Sequence, residues 1–291
     1  MPRSSNIRYL KHDEIDKEKW NKCITHAQNG LIYSYSFYLD QMAKHWDAIV
    51  LSDYEAVMPL TWNKKFGIYY LYQPAFTACL GVFGNNLSES LTEEFIQSIP
   101  SKFGLIEISL NHGNMLGQQN AVFRRATNYV LPLNKHYDEL YGDFRENHQR
   151  NIQRSKQAGN VARKDISIGE VVRLNREQMK KVSPVSDEDY ERFQKLYELL
   201  SSQHKATSYG IMSAQDTLLS SCVFFFSHNR AYYILVGNHP DGRNAGSSHA
   251  LLDAFIKDHA GQNLILDFEG SDIESLALFY AGFGASKEIY P

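Results

Sequence analysis

Cysteine is scarce: Cys23, Cys79 and Cys222 are the only three in 291 residues, and no two stand at CxxC spacing. This excludes a disulfide framework and a thiolate zinc site, and reduced thiols in a cytoplasmic protein are the expectation. The eleven histidines form no HExxH and no i,i+4 pair, so no metal site is expected. No GxSxG and no P-loop sequence occurs. No apolar run reaches the roughly 18 residues of a spanning helix, and MPRSSNIRYLKHDE lacks the apolar stretch of a signal peptide. No membrane partner is expected. A basic excess is also missing: the net charge is −3. No global field recruits nucleic acid, which argues against tRNA as a partner.

What the chain has is apolar and aromatic mass. Hydrophobic residues make up 43% and aromatic ones 13%, with 18 Tyr and 16 Phe, enough for real cores. Aromatic side chains suit a pleated, half-buried surface, so the balance points to sheet. The length fits one large domain or two of ordinary size.

A weak internal duplication favours two. HWDAIVLSDYEAVMPLTW, the turn NKKFG and IYYLYQPAF run in parallel with TSYGIMSAQDTLLSSCVFFF, the turn SHNR and AYYILVGNHP. A helix and a strand follow each, in LTEEFIQSIPSKFGLIEISL and ALLDAFIKDHAGQNLILDF. The pattern predicts mixed α/β sheets in two tandem units, residues 1–127 and 128–291. Between the copies, Leu140, Phe144, His148 and Ile152 recur every four residues, predicting one helix over 137–159 that stops at Gly159-Asn160. A second helix is predicted over 186–202, capped by Ser186 or Asp187, with Tyr190, Phe193, Tyr197 and Leu200 on one side.

The chemistry concentrates from Ala231 onward. A strand (AYYILVG) leads through NHPDGRNAGSS into an amphipathic helix, and backbone N–H groups opening a helix after a strand make an anion site. Arg243, Asn244, Ala245, Gly246, Ser247 and Ser248 are the candidate ligands, with Arg243 supplying charge. The alternative is an ordinary glycine turn with Ser247 or Ser248 as the N-cap. Asp267 and Glu269, two apart at the end of LILDFEGS, share a face if the strand continues. Either serves as base or ammonium ligand, or else as a structural carboxylate. Arg150 and Arg154, four apart, could hold an anionic substrate. Equally, acids at the N-terminal half and bases at the C-terminal half describe a solvated helix obeying its dipole.

Arg243-x-x-Gly246-x-Ser248 resembles the pyrophosphate loop of the GNAT acyltransferases, Arg/Gln-x-x-Gly-x-Gly/Ala, with Ser at the last position. Ala277, Phe279, Tyr280 and the GFGA around Phe283 resemble that family's closing helix. The whole chain resembles the subgroup with two tandem GNAT-like units, which includes the Fem peptidoglycan-bridge aminoacyl transferases. FRENHQRNIQRSKQAGNV and LDFEGS carry that part of the likeness. The resemblance implies a pantetheine slot between Tyr232–Gly237, where Val236 lies, and Leu264–Phe268. It implies Tyr280 as general acid to the leaving sulfur, with a core aromatic as the alternative role. It implies acyl-CoA, acetyl-CoA foremost, as co-substrate and an amine or amino-sugar acceptor. Aminoacyl transfer to a cell-wall precursor and a non-catalytic binding module are the other readings. The first copy's Gly81–Asn86 loop has no arginine, so that copy is expected to be cofactor-free, with Tyr72, Gln73 and Phe76 walling a substrate cleft.

Overall fold

The computed structural model describes residues 6–117, 124–180, 185–270 and 272–290. The chain divides into two compact units, one running to Ala126 and taking in the last residues from Ile289, the other spanning Thr127–Glu288.

In the first unit, β1 (Ile7–Leu10), α1 (Lys17–His26) and α2 (Ser36–Met42) precede an antiparallel meander. The meander is β2 (His45–Leu51), β3 (Ala56–Lys65) and β4 (Ile68–Leu71). Phe66 and Gly67 turn β3 into β4 with φ of 50° and 84°, the left-handed pair a two-residue hairpin favours. After β5 (Phe83–Gly84), α3 (Glu89–Gln97) crosses to β6 (Phe103–Ile106), which lies parallel to β4. Ser88 starts α3 by accepting the Leu91 N–H. Ile49, Met58, Leu60, Leu71, Phe95 and Phe103 close the core beneath α3.

The second unit repeats this plan. β7 (Ala126–Pro132) leads to α4 (Tyr137–Gly142), α5 (Glu146–Gln157) and β8 (Val161–Lys164). Two helices follow, α6 (Ile168–Met179) and α7 (Asp187–Ser202). The meander is β9 (Ala206–Met212), β10 (Leu218–Ser227) and β11 (Arg230–Asn238). Then come α8 (Pro240–Asn244), α9 (Ser247–His259), β12 (Ile265–Asp267), α10 (Glu274–Ala281) and β13 (Ser286–Tyr290). The sheet order is β13-β7-β12-β11-β10-β9-β8, and β12 runs parallel to β11 as β6 does to β4. Phe224 and Phe255 stack at 3.6 Å between sheet and α9, both fully buried. Each such ring contributes about 1.5–3 kcal/mol by leaving water.

The architecture is thus the mixed α/β one expected, but one helix differs. The segment 137–159 is two helices, α4 and α5, broken where the Arg145 N–H donates to Gly282 O (2.9 Å). The stripe of Leu140, Phe144, His148 and Ile152 is nevertheless buried throughout, because the break keeps all four turned to the core. Gly159, at φ 75°, ends α5 as expected, and Ser186 caps α7 with Asp189 closing a capping box.

Candidate functional site

β11 and β12 pair at three positions only, Arg230–Ile265, Ala231–Leu266 and Tyr232–Asp267. Beyond them β11 continues to Asn238, while the Phe268 N–H turns away to Tyr129 O on β7 (3.0 Å). The strands part there. Just past the divergence β11 bulges: Ser221 faces Gly237 while Val223 faces Ile234, so three steps on β11 oppose two on β10. Leu235 absorbs the extra residue at φ 53°, a conformation costing a non-glycine about 1–2 kcal/mol. Helix α6 holds it in place. Asn175, almost fully buried, donates to Val236 O (2.7 Å) and accepts the Tyr190 hydroxyl (2.7 Å). Gln178 accepts the Asn238 N–H (2.6 Å). α6 comes so close that a Cβ on Gly237 would fall 2.6 Å from the Asn175 nitrogen.

The segment between β11 and α9 is a short helix and not the open glycine loop expected. A Cβ on Gly242 would lie 2.5 Å from Leu219 O, and one on Gly246 2.3 Å from Asn151 O of α5. Gly246 has φ 66° and is the N-cap of α9. Both glycines therefore answer to chain packed on chain. Ser247 donates to Gly242 O (3.0 Å) and Ser248 to Asn238 Oδ1 (2.6 Å), so neither caps the helix. Among the described residues the first N–H groups of α9 have no side-chain cap, and Ser247 at its start is fully buried. Arg243 is exposed at the end of α8, followed by Asn244 and by Ala245, whose N–H donates to Asp241 O (3.3 Å).

Arg154 of α5 is close enough to act electrostatically on His249 in the first turn of α9, whereas Arg150 lines a surface groove with Tyr141, Glu146 and Gln153. The His249 ring lies 4.7 Å from His148 and 4.9 Å from Phe279. Burial, then His148 and Arg154, lower its pKa to about 4. Burial also lowers that of His148, whose Nε2–H donates to Phe279 O (2.8 Å). Both rings are neutral when folded near pH 7, whereas an unfolded histidine titrates near 6.5. Between those values the unfolded chain binds more protons, so stability is full above about pH 6.5 and lost as pH falls toward 4. Urea midpoints across that window are expected to drop with acid, and His249→Gln to flatten the drop; equal slopes would exclude His249 as its source.

At the end of β12 the two carboxylates separate. Asp267 is buried, pairs with Arg230 (2.6 Å), and accepts from the Asn128 side chain (2.8 Å) and the Glu269 N–H (3.0 Å). Arg230 also pairs with Glu288 (2.7 Å). Of the roles open to it, Asp267 has the contacts of a structural carboxylate, with three hydrogen bonds holding it within the sheet. It does not share a face with Glu269. β12 ends at Asp267, and Glu269 sits at φ 65°, where strand alternation no longer applies.

Tyr280 stands beside Glu269. Its ring stacks on Phe268 (4.7 Å between centres, 22° between planes) and is 7% exposed. Among the described residues its hydroxyl has no hydrogen-bond partner. Burial, and then the charge of Glu269, push its pKa up to about 12. It is a protonated hydroxyl with a proton to give.

In the first unit, β4–β6 pairing ends at Leu71–Ile106 and returns only as a bridge between Leu80 and Leu110. Gln73 ties the gap, donating to Thr77 O (2.9 Å) and accepting the Ser109 N–H (3.1 Å). The Tyr72 hydroxyl accepts the Lys44 N–H (2.9 Å). Phe76, at φ 57°, offers its carbonyl to the Tyr38 hydroxyl.

Sequence reasoning had missed the clamp of Asn175, Gln178 and Tyr190. The apolar spacing of Val171, Val172 and Leu174 was the one signal for α6.

The fold recurs among solved structures. FemX matches over 97% of this chain and 96% of its own, with TM-score 0.67 at 11% identity. The fold is Fem-like. A conserved protein of unknown function from Bacteroides thetaiotaomicron shares this Fem-like fold (TM-score 0.60, 12% identity, 95% and 97% covered). So does the C-terminal domain of a putative lysylphosphatidylglycerol synthetase from Agrobacterium fabrum (TM-score 0.57, 10% identity, 94% and 90% covered). No family model and no curated protein sequence matches the chain.

Proposed function

We propose that the second unit transfers an acyl group from acyl-CoA, acetyl-CoA foremost, to an amine such as that of an amino sugar. One observation carries the reading: β11 and β12 part at a clamped bulge, with the uncapped start of α9 following β11 and the Tyr280 hydroxyl near the end of β12.

The residues divide the work by chemistry. The α9 N–H groups, with Arg243 and Arg154, meet the negative charge of a pyrophosphate. The edge of β11 just past Tyr232, where β12 no longer pairs, offers backbone groups to an extended amide-bearing arm that runs toward Val236, whose own carbonyl is held by Asn175. Glu269 holds the acceptor's ammonium and takes its proton as the amine nitrogen attacks the thioester carbonyl. When the C–S bond breaks, Tyr280 gives its proton to the sulfur.

Titration calorimetry with CoA and acetyl-CoA tests this. Arg243→Ala is expected to weaken binding by roughly tenfold, the worth of one charge-assisted contact. No heat at millimolar ligand, or an unchanged affinity in the variant, would overturn it. Binding without turnover on any amine would favour a non-catalytic module. The likeness to FemX over nearly the whole chain favours a second reading, aminoacyl transfer to a cell-wall precursor. Retention of aminoacyl-tRNA in a low-salt filter assay would select it.

A further inference from the structure

We propose that the β3–β4 hairpin of the first unit is a docking tip for an anionic lipid surface. This goes beyond the acyl-transfer reading and does not depend on it. The hairpin's turn projects an apolar residue at its most exposed point: Phe66 is 92% exposed, and a side chain on the adjacent Gly67 would meet nothing within 4 Å. Behind it, Ile68 and Leu105 are each 58% exposed and Ile106 46%. Leu105 pairs with Tyr70, and an Ile68 methyl sits 3.3 Å from where a Cβ on Gly104 would be. Phe66, Ile68 and Leu105 thus run from the tip across β4 to β6, while Ile106, the next residue of that strand, turns to the other face.

Two cations flank this run. Lys65 faces Ile68 across the hairpin, with Nζ 5.6 Å from the centre of the Phe66 ring. Lys64 lies over the Tyr69 ring at 4.7 Å. Neither lysine has a carboxylate partner among the described residues. An exposed phenylalanine next to two lysines with no carboxylate partner among the described residues suits a headgroup boundary, where the ring enters the apolar layer and the ammonium groups meet lipid phosphates.

The charge and the area select lipid over a second copy of the chain. A lasting protein interface buries about 800 Å² on each partner, more than a hairpin tip and a few aliphatic side chains supply. Facing tips would also bring like charges together. Among the described residues no helix is long and apolar enough to cross a bilayer, and a surface anchor needs none.

Co-sedimentation of the full chain with vesicles decides it. Binding is expected to phosphatidylcholine mixed with phosphatidylglycerol, to be lost on phosphatidylcholine alone, and to weaken with salt. Lys64→Ala with Lys65→Ala, and separately Phe66→Ala with Ile68→Ala, are expected to lower partitioning roughly tenfold. These side chains are exposed, so thermal melts should match the parent protein. No binding to the anionic vesicles, or binding indifferent to both double substitutions, would overturn the proposal. A dimer in analytical ultracentrifugation that Phe66→Ala abolishes would overturn it too, assigning the tip to a second copy.

Discussion

Replacing Tyr280 by phenylalanine is expected to lower acyl transfer by about 10²–10³-fold while leaving CoA affinity nearly unchanged. The substitution removes one hydroxyl and keeps the ring on Phe268, so the 4.7 Å stack survives. No hydrogen bond among the described residues is lost with it, and stability should stay within about 0.5 kcal/mol of the parent. The effect therefore reads chemistry and not folding. A pKa near 12 keeps the donor protonated across the workable range. The parent rate should accordingly show no alkaline decline from this group below about pH 11, and the variant's profile should keep its shape at a lower level. Steady-state kinetics and calorimetry on the same preparation separate turnover from binding. Full activity in the variant would remove Tyr280 from the mechanism and leave its ring as core.

The largest stability effect is expected from Arg230→Met. Arg230 and Asp267 are both nearly inaccessible, 10% and 4% at the side chain, and Glu288 completes the trio. Burial works against the guanidinium's charge, but the hydrogen bond to Glu288 and the charges of Asp267 and Glu288 outweigh it and raise its pKa. Methionine keeps much of the volume and strands two carboxylates without their cation. Breaking a buried pair from one side costs about 3–5 kcal/mol, on the order of 10 °C in melting temperature. Adding Asp267→Asn and Glu288→Gln should recover part of the loss, because the uncompensated charge is then gone. A single variant within about 1 kcal/mol of the parent in urea would show that the sheet does not depend on the network.

These two residues mark the limits of local reading. Tyr280 is a candidate through its place in a closing-helix pattern that is visible in linear order. Asp267 reads equally as a base and as a structural carboxylate in the sequence, because what it touches comes from elsewhere: Asn128 on β7 and Arg230 on β11, with Glu288 of β13 sharing that arginine. A segment such as LILDFEGS carries no sign of which cation the sheet will set beside it. The same holds for Gly246, read as a glycine for phosphate approach and found under the Asn151 carbonyl of α5.

The internal duplication by itself pointed to two meanders, each followed by a helix and a strand, because burying apolar faces leaves such patterns few other solutions. The resemblance to the GNAT motifs singled out Arg243, Gly246 and Tyr280, all in the second copy. Tertiary structure alone decided that Leu235 bulges, that Asn175 holds the bulge, that α9 begins uncapped and that Asp267 is spent on Arg230. Each of these depends on which atoms from distant segments arrive within about 3 Å of one another. Periodicity fixes which face of an element is buried, and only the packing of element on element fixes what that face touches.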